Sequence, residues 1–256
     1  MIPHPLAGGA TPAWRSVWPT AAEDLAAQLD RAGYPPTAID DPRLVPPTVA
    51  AHAVAAYSRP GRIVDDPACA LGTVAVAALA AGRHTIARTT DVRAWAITQA
   101  RVSAAKHAGA PGEVLVLDPR GGQASWTGLP YPVDLVLTRV PTPSGPGPDP
   151  DWPVQLLTRY AALPRVGGRV VLITTPGPGA DLAATLAVAG PPVGLIPLER
   201  CVALVRAARG GPLRHLDVIV FRRSARLRQA ERQRRPRPLP RARPILPPPL
   251  PPARAA

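Results

Sequence analysis

The chain has 256 residues, 46% hydrophobic and 18% charged, enough apolar material for one globular domain and too much for a chain that stays unfolded throughout. Its formal net charge is +13, from 30 basic residues, of which Lys106 is the one lysine, against 17 acidic ones. Eleven arginines and the single acidic residue Glu231 lie between Arg222 and Ala256, so this tail carries +10 and the rest of the chain only +3.

Residues 1–20, rich in Pro, Gly and Trp, are expected to be irregular. Apolar spacing predicts a helix over Ala21–Ala32 that stops before Gly33, followed by a proline-rich connection from Pro35 to Pro47. Thr48 is placed to cap a second helix, Val49–Tyr57, closed by Ser58-Arg59-Pro60-Gly61. From Arg62 onward short β-branched runs alternate with helical stretches. The predicted strands are Arg62–Asp65, His84–Arg88, Glu113–Leu117, Val133–Thr138, Arg169–Thr174 and Leu216–Phe221. The predicted helices are Thr73–Ala81, Arg93–His107, Pro153–Leu163, Ala180–Ala189 and Glu199–Ala208.

This alternation predicts an α/β protein with a doubly wound, mostly parallel sheet, whose ligands sit beyond the carboxyl ends of the strands. The loops after Asp65, Arg88, Leu117 and Thr138 are therefore where chemistry is expected. Three parts follow: an irregular and helical extension over 1–47, the α/β domain over 48–221, and a basic tail over 222–256. The Arg-Pro alternation of the tail and its run Pro247–Pro252 predict disorder or polyproline II. Such a tail either contacts nucleic-acid phosphates or is a solvated extension; no aromatic residue interleaves its arginines.

Cys69 and Cys201 stand far apart with no Cys/His cluster, which excludes a disulfide framework and a zinc site and points to a reducing compartment. The N-terminus lacks the pattern of a signal peptide. Of the uncharged runs, Pro67–Gly82 is too short to span a bilayer and Leu182–Leu198 is broken by Pro191-Pro192. A cytoplasmic protein without membrane contact is expected. His4, His84, His107 and His215 show no metal spacing, and no hydrolase-like Ser/His/Asp or Cys/His order is present.

The loop after the first predicted strand reads Ile63-Val64-Asp65-Asp66-Pro67-Ala68-Cys69-Ala70-Leu71-Gly72-Thr73. With Gly72 as its one glycine it is neither a dinucleotide fingerprint nor a Walker A loop. By itself it fits a structural strand-to-helix turn as well as a nucleotide-binding one. Asp66-Pro67-x-x-x-x-Gly72-Thr73, however, resembles the D-P-x-x-G-x-G-T motif of S-adenosylmethionine-dependent methyltransferases of the N4/N6 DNA methylase group. Ser16-Val17-Trp18, Tyr34-x-Pro36, His52, Tyr57-x-Arg59-Pro60-Gly61, Gly82-Arg83, Asp91-x-Arg93, Trp95, Arg200–Leu204 and Val218–Arg222 resemble the actinobacterial branch of that group, in matching order from about residue 16 to about residue 222.

The resemblance implies a class I (Rossmann-like) methyltransferase fold, S-adenosylmethionine as cofactor and DNA as partner. It places Asp66 against the methionine amino group, Gly72 and Thr73 along the methionine and ribose, and Asp118 on the adenine amino group. The implied cofactor site comprises Asp66, Pro67, Ala70, Gly72, Thr73, Thr89, Asp91 and Asp118; the implied catalytic site comprises Thr138, Arg139 and Pro141. From the residues alone, Asp66 and Asp118 fit equally the role of caps on the turns that follow them.

Three positions depart from the family pattern. Ala70 replaces the first motif glycine, adding a Cβ where the chain approaches the cofactor and where φ > 0 is expected. Thr89 replaces the acidic residue that accepts from both ribose hydroxyls, a loss of about 1.5–3 kcal/mol, or roughly 10- to 100-fold in affinity, unless Asp91 substitutes. At the acceptor motif the chain reads Thr138-Arg139-Val140-Pro141-Thr142. Here Arg139 is a donor where an acceptor for the base amine belongs, and Thr142 offers no ring to stack a flipped base. Tyr131 precedes the strand and lies at its opposite end. Taken alone, Thr138–Pro141 reads as a surface loop after a buried strand. Two functions are thus expected: an amino-methyltransferase of DNA with reduced or lost activity, or a non-catalytic nucleic-acid or protein-binding module on the same fold. The glycine spacing disfavours a nicotinamide oxidoreductase.

Overall fold

The computed structural model describes residues 14–121, 132–142, 149–177 and 181–225. Eight strands, β1 (Trp14–Trp18), β2 (Ile63–Asp66), β3 (His84–Arg88), β4 (Val114–Leu117), β5 (Val133–Val140), β6 (Pro164–Thr174), β7 (Leu195–Arg206) and β8 (Leu213–Arg223), form one sheet in the order β1-β7-β8-β6-β5-β2-β3-β4. All neighbours pair in parallel except β8, which runs antiparallel to β6 and β7. Strand order reverses between β2 and β5, which puts the crevice of the doubly wound sheet at their carboxyl ends.

Six helices cover the sheet: α1 (Leu25–Arg31), α2 (Pro47–Tyr57), α3 (Thr73–Ala80), α4 (Val92–His107), α5 (Trp152–Ala161) and α6 (Leu182–Ala189). Successive side chains of β5 alternate between the faces. Leu135 and Leu137 pack with Val54 and Val74 of α2 and α3, while Val136 and Val140 pack with Leu157 and Leu186 of α5 and α6. A strand buried on both faces must be apolar at every position, which is why β5 and β6 read as continuous apolar runs. Asp24, Asp91 and Asp181 accept backbone N–H bonds at the starts of α1, α4 and α6, which sets where those helices begin. Among the described residues, no helix is long and apolar enough to cross a membrane.

Several expectations are corrected. Trp14–Trp18, expected to be irregular, is a strand paired in parallel with β7, and Trp18, Leu29, Leu44 and Val45 are buried, so the N-terminal segment belongs to the core. Thr48 does not cap α2: that helix starts at Pro47, and the Thr48 hydroxyl donates to Thr20 O at 2.8 Å. Glu199–Ala208, expected as a helix, lies mostly within β7, because Val202, Leu204 and their neighbours pair with β8 on one side and β1 on the other. Tertiary pairing there overrides a run that also fits a helical period. Arg222 and Arg223, assigned to the tail, end β8. The disorder expected of the tail beyond residue 225 falls outside the described residues.

Phe221 is fully buried where β8 meets α6, and a Cβ on Gly190 would stand 2.7 Å from its ring. Phe221→Ala is expected to cost about 3–5 kcal/mol, read as a fall in the urea midpoint at unchanged slope.

Candidate functional site

At the carboxyl ends of β2 and β3 the two adjacent aspartates take different roles. Asp65 faces Arg88 in an ion pair shielded from solvent, with Nη2–Oδ2 at 2.6 Å and Nε–Oδ1 at 2.9 Å. The Cys69 N–H donates to Arg88 O at 2.8 Å, so the loop after β2 is pinned to the end of β3. Asp66 is also buried, and burial pushes its carboxyl up to about 7. The Thr138 hydroxyl stands beside it and, with the Ala68 N–H at 3.4 Å, opposes this rise only in part, while the Asp65 charge adds to it. Thr138 is an electrostatic neighbour of Asp66 rather than a hydrogen-bond donor of good geometry, since its buried Oγ1 has no hydrogen-bond partner among the described residues.

Gly72 opens α3 at φ +86°, and a Cβ there would lie 2.8 Å from Thr98 Cγ2, so glycine is required both by the backbone and by space. Ala70 does not need that freedom. Among the described residues no non-glycine has positive φ, which corrects the strain expected at this alanine. Its methyl is buried with Leu29, Tyr34, Ala38 and Leu44. The Thr73 hydroxyl, expected along the cofactor, donates to Val45 O at 2.7 Å and ties α3 to the N-terminal segment. Pro67, half-buried, turns the chain between Asp66 and this segment.

After β3, Thr89 is buried and its Oγ1 accepts from the Asp91 N–H at 3.2 Å. Asp91 caps α4, accepting from Arg93 N at 2.8 Å and Ala94 N at 3.3 Å. A cavity of about 450 Å3 lies between this helix start and the N-terminal segment, lined among others by Asp41, Arg43, Leu71, Asp91 and Ile97. Asp91 lines it; the other predicted cofactor residues do not. Asp118, after β4, is held by Arg120, whose charge and hydrogen bonds keep the carboxyl below the usual range.

β5 contains Thr138, as the predicted strand Val133–Thr138 has it, and runs on through Arg139 to Val140, so these residues do not form the surface loop that Thr138–Pro141 suggests when taken alone; Thr138 is fully buried. The Arg139 guanidinium donates to Leu44 O and to Thr175 Oγ1, each at 2.8 Å. Burial pushes its pKa down, against the pull of Asp41. Pro141 is exposed beyond the strand, and Tyr131 lies outside the described residues. The structure thus gathers Asp66, Ala70, Gly72, Thr73 and Thr138 around the β2–β5 crevice, with Thr89 and Asp91 at β3 and Asp118 at β4. The reading of the sequence missed Arg88 as the partner of Asp65, although a lone arginine ending an apolar strand beside a strand that ends in aspartate was a signal. It also missed Arg200, which bridges Asp181 at 2.6 Å and Asp217 at 3.1 Å, because that stretch was read as helix. Among the described residues, no group of His, Cys, Asp and Glu is placed to hold a metal ion.

No protein-family model and no curated protein matches the sequence. Among solved structures, the chain is similar to a candidate RNA methyltransferase from Pyrococcus horikoshii, with 16% identity and a TM-score of 0.53, over 78% of this chain and 96% of that one. It is also similar to magnesium protoporphyrin IX methyltransferase from Synechocystis with bound S-adenosylmethionine, with 16% identity and a TM-score of 0.50, over 69% and 77% of the two chains. TrmN from Thermus thermophilus matches with 22% identity and a TM-score of 0.49 over 70% of this chain, which spans about half (49%) of that protein's length. The chain therefore has the class I, Rossmann-like fold of S-adenosylmethionine-dependent methyltransferases.

Two outcomes are expected. Arg88→Met leaves Asp65 buried without its partner and costs about 3–5 kcal/mol, most of which the double replacement with Asp65→Leu recovers, as read from denaturant midpoints. Asp66, raised above its unfolded value near 4, favours the neutral form in the folded protein. Its contribution is therefore greatest below about pH 4, declines as the pH rises towards 7 and is flat above, a change on the order of a few kcal/mol. In urea titrations across this range, Asp66→Asn is expected to remove that decline and to be more stable than the parent at pH 8.

Proposed function

We propose that this chain is an S-adenosylmethionine-dependent methyltransferase-like protein of the DNA amino-methyltransferase (N4-cytosine/N6-adenine) group, with a weakened acceptor site. The observation that carries this reading is Asp66. A carboxylate buried at the switch point, poorly compensated by Ala68 N–H and Thr138, is stabilised when a cation arrives, and the α-ammonium of a methionine moiety is such a cation. The residues present fit the methionine end of the cofactor in this respect. At the ribose end Thr89 offers no carboxylate, and its hydroxyl already accepts from Asp91.

When bound, the cofactor supplies a methyl group on a sulfonium, open to attack in line by a nitrogen lone pair. The chain's own contribution is to bind and orient: Asp66 holds the ammonium, the turn at Gly72 keeps the backbone close, and Asp118 faces the exocyclic amine of the adenine. The tail of +10 supports nucleic acid as the substrate class through phosphate contacts. The cytoplasm is the compartment in which such a protein would meet DNA. A second reading, a non-catalytic binding module on the same fold, is favoured by Arg139, whose guanidinium is committed to Leu44 O and Thr175 where the family carries an acceptor for the base amine.

Calorimetric titration is expected to show micromolar binding of S-adenosylmethionine and S-adenosylhomocysteine and none of NAD, with Asp66→Asn weakening both by at least about tenfold. No binding at millimolar cofactor overturns the proposal. Labelled methyl transfer to duplex DNA, compared with RNA and protein, separates the two readings: binding with transfer to none of the three favours the module.

A further inference from the structure

Arg120 forms a fork on Asp118, with Nη2–Oδ2 at 2.6 Å and Nε–Oδ1 at 2.9 Å, just after β4. The same guanidinium lies over the indole of Trp95, 5.5 Å from the ring centroid. Trp95 comes from the first turn of α4, so two elements meet at one planar cation. Among the described residues, the buried Trp95 Nε1–H has no hydrogen-bond partner. A carboxylate that accepts from an N–H fork, set beside a π-face, offers what an aminopurine uses: a partner for its exocyclic amine and a surface for its flat ring.

We infer that Trp95 and Asp118 form a clamp for an aminopurine and that Arg120 occupies this clamp until the base displaces it. The inference rests on the cofactor reading proposed above and adds to it a stacking residue and an internal competitor. Asp118 and Arg120 are both solvent-accessible, with side chains 41% and 68% exposed, so their pair is weak and can be released in one side-chain movement. That single movement frees the carboxylate and uncovers the ring face. The clamp selects for an exocyclic amine because inosine, with a carbonyl oxygen in its place, would set one acceptor against another. Arg120 keeps Asp118 paired when the clamp holds no base, and weakens the ligand by the amount its own contacts contribute.

The test is calorimetric titration of the full chain with S-adenosylhomocysteine, adenosine and inosine. Arg120→Ala is expected to tighten S-adenosylhomocysteine and adenosine about threefold to tenfold while leaving inosine unimproved. Trp95→Leu is expected to weaken both adenine ligands by about tenfold, with Trp95→Phe retaining most of the affinity. A readout without ligand accompanies these: Arg120→Ala changes the fluorescence contribution of Trp95, obtained by subtracting the Trp95→Leu spectrum. Equal affinities in the parent and in Arg120→Ala, or inosine binding as well as adenosine, overturn the clamp while leaving the cofactor reading intact. Absence of S-adenosylhomocysteine binding in every variant overturns the cofactor reading and the clamp with it.

Discussion

The ion pair between Asp65 and Arg88 is the interaction on which the candidate site depends. Two charges removed from water are tolerated only when each is met by the other in good geometry, and here the fork spans the carboxyl ends of β2 and its neighbour β3, beside the switch point between β2 and β5. Because Arg88 is held by Asp65, its carbonyl is fixed to accept from Cys69, and the loop carrying Asp66 and Gly72 is fixed in turn. Because Arg88 is committed to Asp65, the neighbouring Asp66 is paired with no cation among the described residues. A structural pair and a vacant carboxylate, adjacent in sequence, are separated by the alternation of a strand.

The N-terminal segment is the second constraint. It contributes an edge strand, yet its larger effect is to roof the crevice: Leu44 O and Val45 O accept from Arg139 and Thr73, and Leu44 and Ala38 bury Ala70. Ala70 is therefore a packing residue, and the threonine after Gly72 is a tether. These two roles follow from one cause, the passage of residues 38–45 over the loop.

Arginine meets several carboxylates and one carbonyl at this edge of the sheet, Asp66 excepted. Arg88 holds Asp65, Arg120 holds Asp118, Arg139 reaches Leu44 O, and Arg200 bridges Asp181 and Asp217. In a chain with a single lysine, the planar fork supplies geometry that a point charge would not. The buried fork at Asp65 is structural, as is the single buried contact of Arg200 with Asp217, whereas the fork at Asp118 is exposed to solvent.

The alternation of apolar runs with helical periods was sufficient to give the doubly wound sheet and three of its strands, β2, β3 and β4, to within one residue, because buried parallel strands need apolar side chains on both faces and leave that mark on the chain. What the sequence could not decide is where partners come from far along the chain. Whether Val202 and Leu204 belong to a helix or a strand depends on β1 and β8 being available to pair. Whether Thr138 and Arg139 face solvent depends on a segment some ninety-five residues earlier, whose Leu44 carbonyl meets Arg139. Local chemistry determined the elements and their ends; burial, which is set by what covers each end, was decided only by the tertiary structure.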